Sequence, residues 1–143
     1  MSEHRFGKEQ QNIFAAWTDR SAYRCGKLFR ILNPTKEICP LGAKDGNKRL
    51  LLVGNSYADS IKTSFAKVAT ARGVDLYFVV ENDPLIGGRL SAARTIEVAD
   101  KSGIDFIAIH FSNIYERANN REHILLLVKL ARARGMADRK SVV

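Results

Sequence analysis

Ser56 is the residue of this sequence best placed to do chemistry. It follows the apolar run Arg49–Val53 and Gly54, and a stretch with helical periodicity comes after it. A hydroxyl at a strand-to-helix junction is exposed, and the free N–H groups of the helix can hold an anion or a developing oxyanion. Such a serine is suited to nucleophilic attack. The alternative is that Ser56 caps the helix through its hydroxyl, which is a common duty of serine.

The histidines and cysteines offer little further chemistry by their spacing. His110 lies inside an apolar run, which favours a packed histidine over a general base, His123 lies in the first turn of a predicted helix, and His4 belongs to a polar tail. Cys25 and Cys39 cannot complete a zinc site, and their separation fits neither a Cys-x-x-Cys pair nor a metal knuckle. We therefore expect no metal and no cofactor. The two cysteines either form a disulfide in an oxidising compartment or remain reduced thiols.

From residue 49 onward, short apolar runs alternate with helical stretches that each end at a glycine. Such strand–loop–helix units in succession indicate an α/β fold with a mainly parallel sheet. Right-handed crossovers place the first of these strands in the middle of the sheet. The predicted strands are Arg49–Val53, Asp75–Val80 and Asp105–Phe111, and the predicted helices are Asp59–Ala71, Ser91–Lys101 and Asn120–Arg134.

In an open parallel sheet, ligands bind at the edge where the strands end. Functional residues are therefore expected in the loops 54–59, 81–90 and 112–119. Residues 1–48 are less regular, with a short helix predicted over Gln10–Trp17, and we assign no chemistry to them. The inward stripe of the first long helix is predicted to carry Ile61, Phe65, Val68 and Ala69, and that of the second Ala92, Ile96 and Ala99.

The composition describes a globular chain of about one domain, because 143 residues lie within the usual size of one core. Lys and Arg number 23 against 15 Asp and Glu, and the net charge of +8 favours polyanions as encounter partners. The basic residues are scattered without an aromatic-rich motif, so we expect a solvated surface and no specific nucleic acid partner. The apolar runs are far shorter than the roughly 20 residues of a membrane span. Because the N-terminus is polar and has no apolar stretch after a basic start, we expect no secretory signal in it.

The segment Arg49–Asp59, with Gly54-Asn55-Ser56-Tyr57 at its centre, resembles the first sequence block of the SGNH (GDSL-type) hydrolase superfamily. In that block a strand leads into Gly-Asp-Ser or Gly-Asn-Ser, and the serine is the nucleophile, which is the position of Ser56. The likeness is closest to the SGNH domains at the C-terminal, periplasmic end of membrane acyltransferases that O-acetylate surface polysaccharides. It covers residues 23–143 and implies a flavodoxin-like three-layer sandwich, after an N-terminal tail or short helix over residues 1–22.

The resemblance also implies further site residues. The family's second block supplies a glycine N–H to the oxyanion, for which Gly87 or Gly88 is the candidate, although a glycine pair also suits a flexible turn. The third block supplies an asparagine amide, a place that Asn113 occupies, although Asn113 also suits a turn cap. The surroundings of Cys25 and Cys39 resemble the cysteine-bearing lead-in of these domains, which makes a disulfide between them plausible.

The sequence departs from the family in three ways. Asn55 stands in place of the commoner Asp, Tyr57 in place of His, and the Asp-x-x-His motif that carries the catalytic histidine is missing. We therefore expect a sandwich that is incomplete at the C-terminus, lacking the last third of the domain. The implied function is a serine esterase or acyltransferase-like domain for O-acyl groups of carbohydrates, with an O-acylated carbohydrate or acyl donor as its partner, inactive as this chain. The alternative is a non-catalytic α/β module that binds a small anion or a protein partner at loop 54–59.

Overall fold

The fold is α/β, as the sequence predicts. A computed structural model describes residues 24–82, 90–110 and 118–136, together with Gly7 and Leu85. In these ranges the elements follow one another as α1 (Lys27–Leu32), β1 (Cys39–Leu41), β2 (Lys48–Gly54), α2 (Ser56–Ala71), β3 (Val74–Val80), α3 (Ala92–Lys101), β4 (Phe106–His110) and α4 (Ala118–Ala133).

The strands form a mixed, mostly parallel sheet in the order β1-β3-β2-β4. The predicted first strand, β2, lies in the interior and pairs in parallel with both β3 and β4. The antiparallel strand β1, which pairs with β3, is not predicted from the sequence, because residues 1–48 have a less regular pattern. β1 is three residues long and contains Pro40, and proline is tolerated here because β1 is an edge strand of the described sheet.

Two apolar clusters cover the two faces of the sheet. Leu51 and Val53 of β2 belong to the cluster that contains the buried residues of α3 and α4, such as Ile96 and Leu127. Leu52, between them, belongs to the cluster that contains Ala58 and Ala69 of α2. Successive strand residues point to opposite faces. The continuous Leu and Val run of β2 is therefore explained by burial on both sides.

Helix α2 begins three residues earlier than predicted, at Ser56 instead of Asp59. Its buried residues are Ala58, Lys62 and Ala69. The prediction that Val68 faces inward is wrong, since 56% of this residue is exposed. Val68 is rotated by about 100° from Ala69 around the helix axis. The buried face of α2 therefore contains Lys62 and Ala69 and leaves Val68 outside it. Gly73, with φ of +65°, follows the helix end as expected.

Helix α3 buries Ala92, Ile96 and Ala99, as predicted. Its N-cap is Ser91, whose hydroxyl accepts a hydrogen bond from the backbone N–H of Arg94 at 3.2 Å. The inward face of α4 is centred on Leu127, which is 2% exposed. Since α4 begins at Ala118, His123 lies in its second turn and not in the first.

The exposed face of α3 leads to a prediction about pH. Glu97 accepts hydrogen bonds from Lys101 at 2.6 Å and from Arg94 at 2.7 Å, and these bonds, that of Lys101 first, lower the pKa of Glu97 from 4.5 to about 2. A depressed folded-state pKa contributes stability that is present above the unfolded pKa and is lost as the pH falls through the folded value. We therefore expect this contribution to disappear between about pH 4.5 and pH 2.

The measurement is an NMR titration of the Glu97 carboxyl carbon, which should have its midpoint near pH 2. Lys101→Ala should raise that midpoint, and Arg94→Ala should raise it less, in the order of the two contributions. A midpoint near 4.5 in the native protein would contradict the assignment.

None of the helices in the described ranges is long and apolar enough to cross a membrane.

Candidate functional site

The three parallel strands end together around Gly54. In the sheet register Gly54 is the partner of Val80 on one side and of His110 on the other. A Cβ atom at position 54 would collide with the carbonyl oxygen of His110 and would lie 2.5 Å from the Cβ of Ala58. Glycine is therefore required here by the close approach of β4 and α2. This approach places the start of α2 directly at the carboxyl edge of the sheet.

Ser56 is the first residue of α2, and it is exposed at this edge. The N-cap is Asn55, which is 4% exposed and whose Oδ1 accepts a hydrogen bond from the N–H of Tyr57 at 3.1 Å. The capping role that was the alternative for Ser56 therefore belongs to Asn55. Tyr57 beside it is 48% exposed, which leaves an aromatic ring in solvent next to the serine.

His110 is the last residue of β4 and therefore lies at the same edge as Ser56. It is half-buried, and its backbone faces Gly54. Two of the predicted site positions, Gly88 and Asn113, lie outside the described residues, as does Gly87. Of the residues singled out in the sequence, the structure thus brings Gly54, Asn55, Ser56 and His110 to one edge.

A buried ion pair on the helix that carries Ser56 is not foreseen from the sequence. The side chain of Lys62 is 1% exposed, and its Nζ donates a hydrogen bond to Oδ1 of Asp59 at 2.7 Å. The ammonium also donates to the carbonyl of Arg24 at 2.8 Å and lies 5.1 Å from the ring centre of Phe78. Asp59 belongs to the first turn of α2, so one partner of this pair lies in the turn that begins at Ser56.

The segment that contains Arg24 and Cys25 lies against the same turn. The N–H of Arg24 donates to Oδ1 of Asp59 at 2.9 Å, and its Nη2 donates to Oδ1 of Asn82 at 2.7 Å. Cys25 is joined by a disulfide to Cys39, with the two Cα atoms 5.8 Å apart. No group of three or more His, Cys, Asp and Glu side chains suited to a metal ion occurs within the described ranges.

A depression of about 340 Å³ lies at the opposite edge of the sheet, where the strands begin, and is lined in part by Lys48, Asp105 and Arg134. Its charged groups pair with one another, since Lys48 lies 3.6 Å from Asp105 and Arg134 lies 2.9 Å from Asp100. Charges that are already paired provide little attraction for a ligand. The carboxyl edge with Ser56 is therefore the better candidate for a functional site.

The chain matches no protein-family model, no curated protein and no solved structure. Its function is therefore inferred from the site. The carboxyl edge presents a hydroxyl on the first turn of a long helix, where backbone N–H groups and the helix dipole favour negative charge. Such an arrangement can bind an anion, and it can also stabilise the oxyanion that forms when a serine attacks an acyl group.

Proposed function

We propose that this protein is an SGNH-type serine esterase or acyltransferase-like domain for O-acyl groups of carbohydrates, with Ser56 as its nucleophile. The observation that carries the proposal is the placement of Ser56, which is exposed directly after the interior strand while Asn55 caps the helix. A serine without a capping duty at this position is available for chemistry. The flavodoxin-like strand order of the family is part of the proposal, and the order β3-β2-β4 of the parallel strands supports it.

In the proposed reaction, the hydroxyl oxygen of Ser56 attacks the acyl carbonyl, and the negative charge develops on the carbonyl oxygen. The helix dipole and the backbone N–H groups at the start of α2, apart from that of Tyr57, which Asn55 binds, would stabilise that charge. The resemblance adds the N–H of Gly88 and the side-chain amide of Asn113 as further donors, and these assignments remain part of the proposal. The bond between the acyl carbon and the oxygen of the sugar, or the leaving group of another acyl donor, would break, and that leaving group would take up the proton released from Ser56. Water or an acceptor hydroxyl would then take the acyl group from Ser56 and return a proton to it.

The proposed reaction needs a general base, and the family's motif for it is missing from this sequence. The sequence contains no Asp-x-x-His. Without a base the hydroxyl stays protonated, which lowers the rate of attack by several orders of magnitude. We therefore expect no turnover of p-nitrophenyl esters above a Ser56→Ala control. A clear rate that disappears in both Ser56→Ala and His110→Ala would show that His110 acts as the base.

The nucleophile itself is tested by chemical rescue with imidazole, which supplies a base in solution. In imidazole buffer, a fluorophosphonate should modify Ser56, with a bond forming from Oγ to phosphorus while fluoride leaves. Ser64 is the matched control, because it is exposed on the same helix but lies away from the carboxyl edge. We expect Ser56 to react about tenfold or more faster than Ser64, as an oriented and stabilised nucleophile should. The sites are identified by peptide mass spectrometry.

Equal modification of the two serines would contradict the proposal. It would favour the alternative of a non-catalytic module that binds a small anion or a protein partner at the start of α2. That alternative also predicts that inorganic phosphate shifts the amide resonances of residues 56–59.

A further inference from the structure

The segment Arg24–Gly26, named here the Arg24 segment, is held to the rest of the protein by a covalent bond. Cys25 is joined to Cys39 in β1, and Cys39 is the register partner of Phe78 in β3. Cys39 is buried, whereas Cys25 is half-exposed. Cys25 is therefore the more accessible end of the disulfide, and its sulfur is the one that we expect an incoming thiolate to attack.

Both backbone polar groups of Arg24 are bound by α2. Its N–H donates to Asp59 and its carbonyl accepts from the buried ammonium of Lys62, at 2.9 and 2.8 Å. Arg24 also has φ of +55°, in the left-handed region that residues other than glycine seldom adopt. A conformation of this kind persists only where the surroundings fix it. The Arg24 segment therefore depends on its anchors and would relax if the covalent one were lost.

Arg24 also contacts two of the chain segments that leave the carboxyl edge. On one side Arg24 contacts Asp59, in the turn that begins at Ser56. On the other side its guanidinium reaches Asn82, just beyond the carboxyl end of β3. The Arg24 segment thus links the first turn of α2 to the residues that follow β3. Its removal would open the ion pair of Asp59 and Lys62 to water.

We propose that the Cys25–Cys39 disulfide is a redox switch that regulates the carboxyl-edge site through the Arg24 segment. A dithiol would reduce the disulfide, giving up two electrons and two protons. The S–S bond breaks, Cys25 and Cys39 become thiols, and the dithiol becomes a disulfide. The Arg24 segment then becomes mobile, and the first turn of α2 loses its contacts with Arg24. The effect on the reactivity of Ser56 rests on the proposed function, whereas the loosening of the turn does not.

Hydrogen exchange on the full chain tests the inference. The oxidised protein is compared with protein that has been reduced and alkylated, and with a Cys25→Ala/Cys39→Ala variant. We expect about tenfold or greater acceleration at the amides of residues 24–26 and 57–59. The amide of Thr95, which is bonded to the carbonyl of Ser91 in α3, is the internal control and should not change. If the double variant fails to fold, the reduced wild-type protein still gives the comparison.

The second measurement is the rate of Ser56 phosphonylation in imidazole, oxidised against reduced. We expect a change of about tenfold, because the geometry of the nucleophile depends on the turn that holds it. If Ser56 is not modified in either state, the proposed function fails, and the exchange measurement alone decides the inference.

Equal exchange at residues 57–59 in both states would overturn the inference. Acceleration that extends equally to Thr95 would also overturn it, since the disulfide would then hold the whole fold and not the site. A local acceleration without a change in the rate of a reactive Ser56 would overturn the regulatory role.

Discussion

The Gly54→Ala variant is expected to lose about 3 kcal/mol of unfolding free energy, at the upper end of what overpacking usually costs. The added methyl group would meet the carbonyl oxygen of His110 and the Cβ of Ala58, both parts of well-packed elements. Neither is the end of a flexible side chain. The strand β4 or the start of α2 must therefore move, and the pairing between β2 and β4 at the carboxyl edge is disturbed.

Urea unfolding followed by circular dichroism measures this loss. Gly73→Ala is the matched control, because a Cβ at position 73 meets no atom within 4 Å although φ is +65°. It should cost only about 1 kcal/mol, for the positive φ alone. Similar losses in the two variants would show that the contact with His110 is not what makes glycine necessary at position 54.

Asp59→Ala is expected to cost about 3–5 kcal/mol, the range for breaking a buried ion pair by removing one partner. The ammonium of Lys62 would keep its position, with only 1% of the side chain exposed, but would lose its hydrogen bond and ion pair with the Asp59 carboxylate. The N–H of Arg24 would lose the same acceptor. The expected result is a large loss of stability from a residue whose own side chain is 16% exposed.

A double-mutant cycle separates the charge from the packing. Lys62→Met replaces the ammonium with an apolar group of similar length and should cost less than Asp59→Ala, and adding Lys62→Met to Asp59→Ala should recover part of the loss. Lys101→Met, which removes an exposed partner of Glu97, is the surface control and should have a much smaller effect. Additive losses for Asp59 and Lys62 would contradict a coupled buried pair.

The parallel core of this fold could be predicted because its signals are local. Continuous apolar strands, such as the run that became β2, and helix stripes, such as Ala92, Ile96 and Ala99, can be seen in a few consecutive residues. The position of Ser56 at a strand-to-helix junction follows from the same pattern. The same pattern does not show whether Asn55 or Ser56 caps the helix, because both residue types are good caps.

The elements that were missed depend on partners far along the chain. β1 is three residues long and is defined by its pairing with β3. Lys62 lies where an amphipathic pattern calls for an apolar residue, and it is accommodated by the carbonyl of Arg24 and the ring of Phe78. The spacing of Asp59 and Lys62 is local, but the burial of the pair depends on these distant contacts and has no local pattern. Gly88 and Asn113 lie outside the described residues and stay predictions.

The topology of the sheet also bears on the order in which the protein assembles. The interior strand β2 is joined to β3 by α2 and short connections, whereas β4 enters only after β3 and α3. Loop closure costs less entropy for partners that are near in sequence, so β2, α2 and β3 are favoured to associate first. The turn that carries Ser56 thus belongs to the early unit, and docking of β4 brings His110 to it later. Substitutions in the Gly54–His110 contact are therefore expected to act mainly on the unfolding rate.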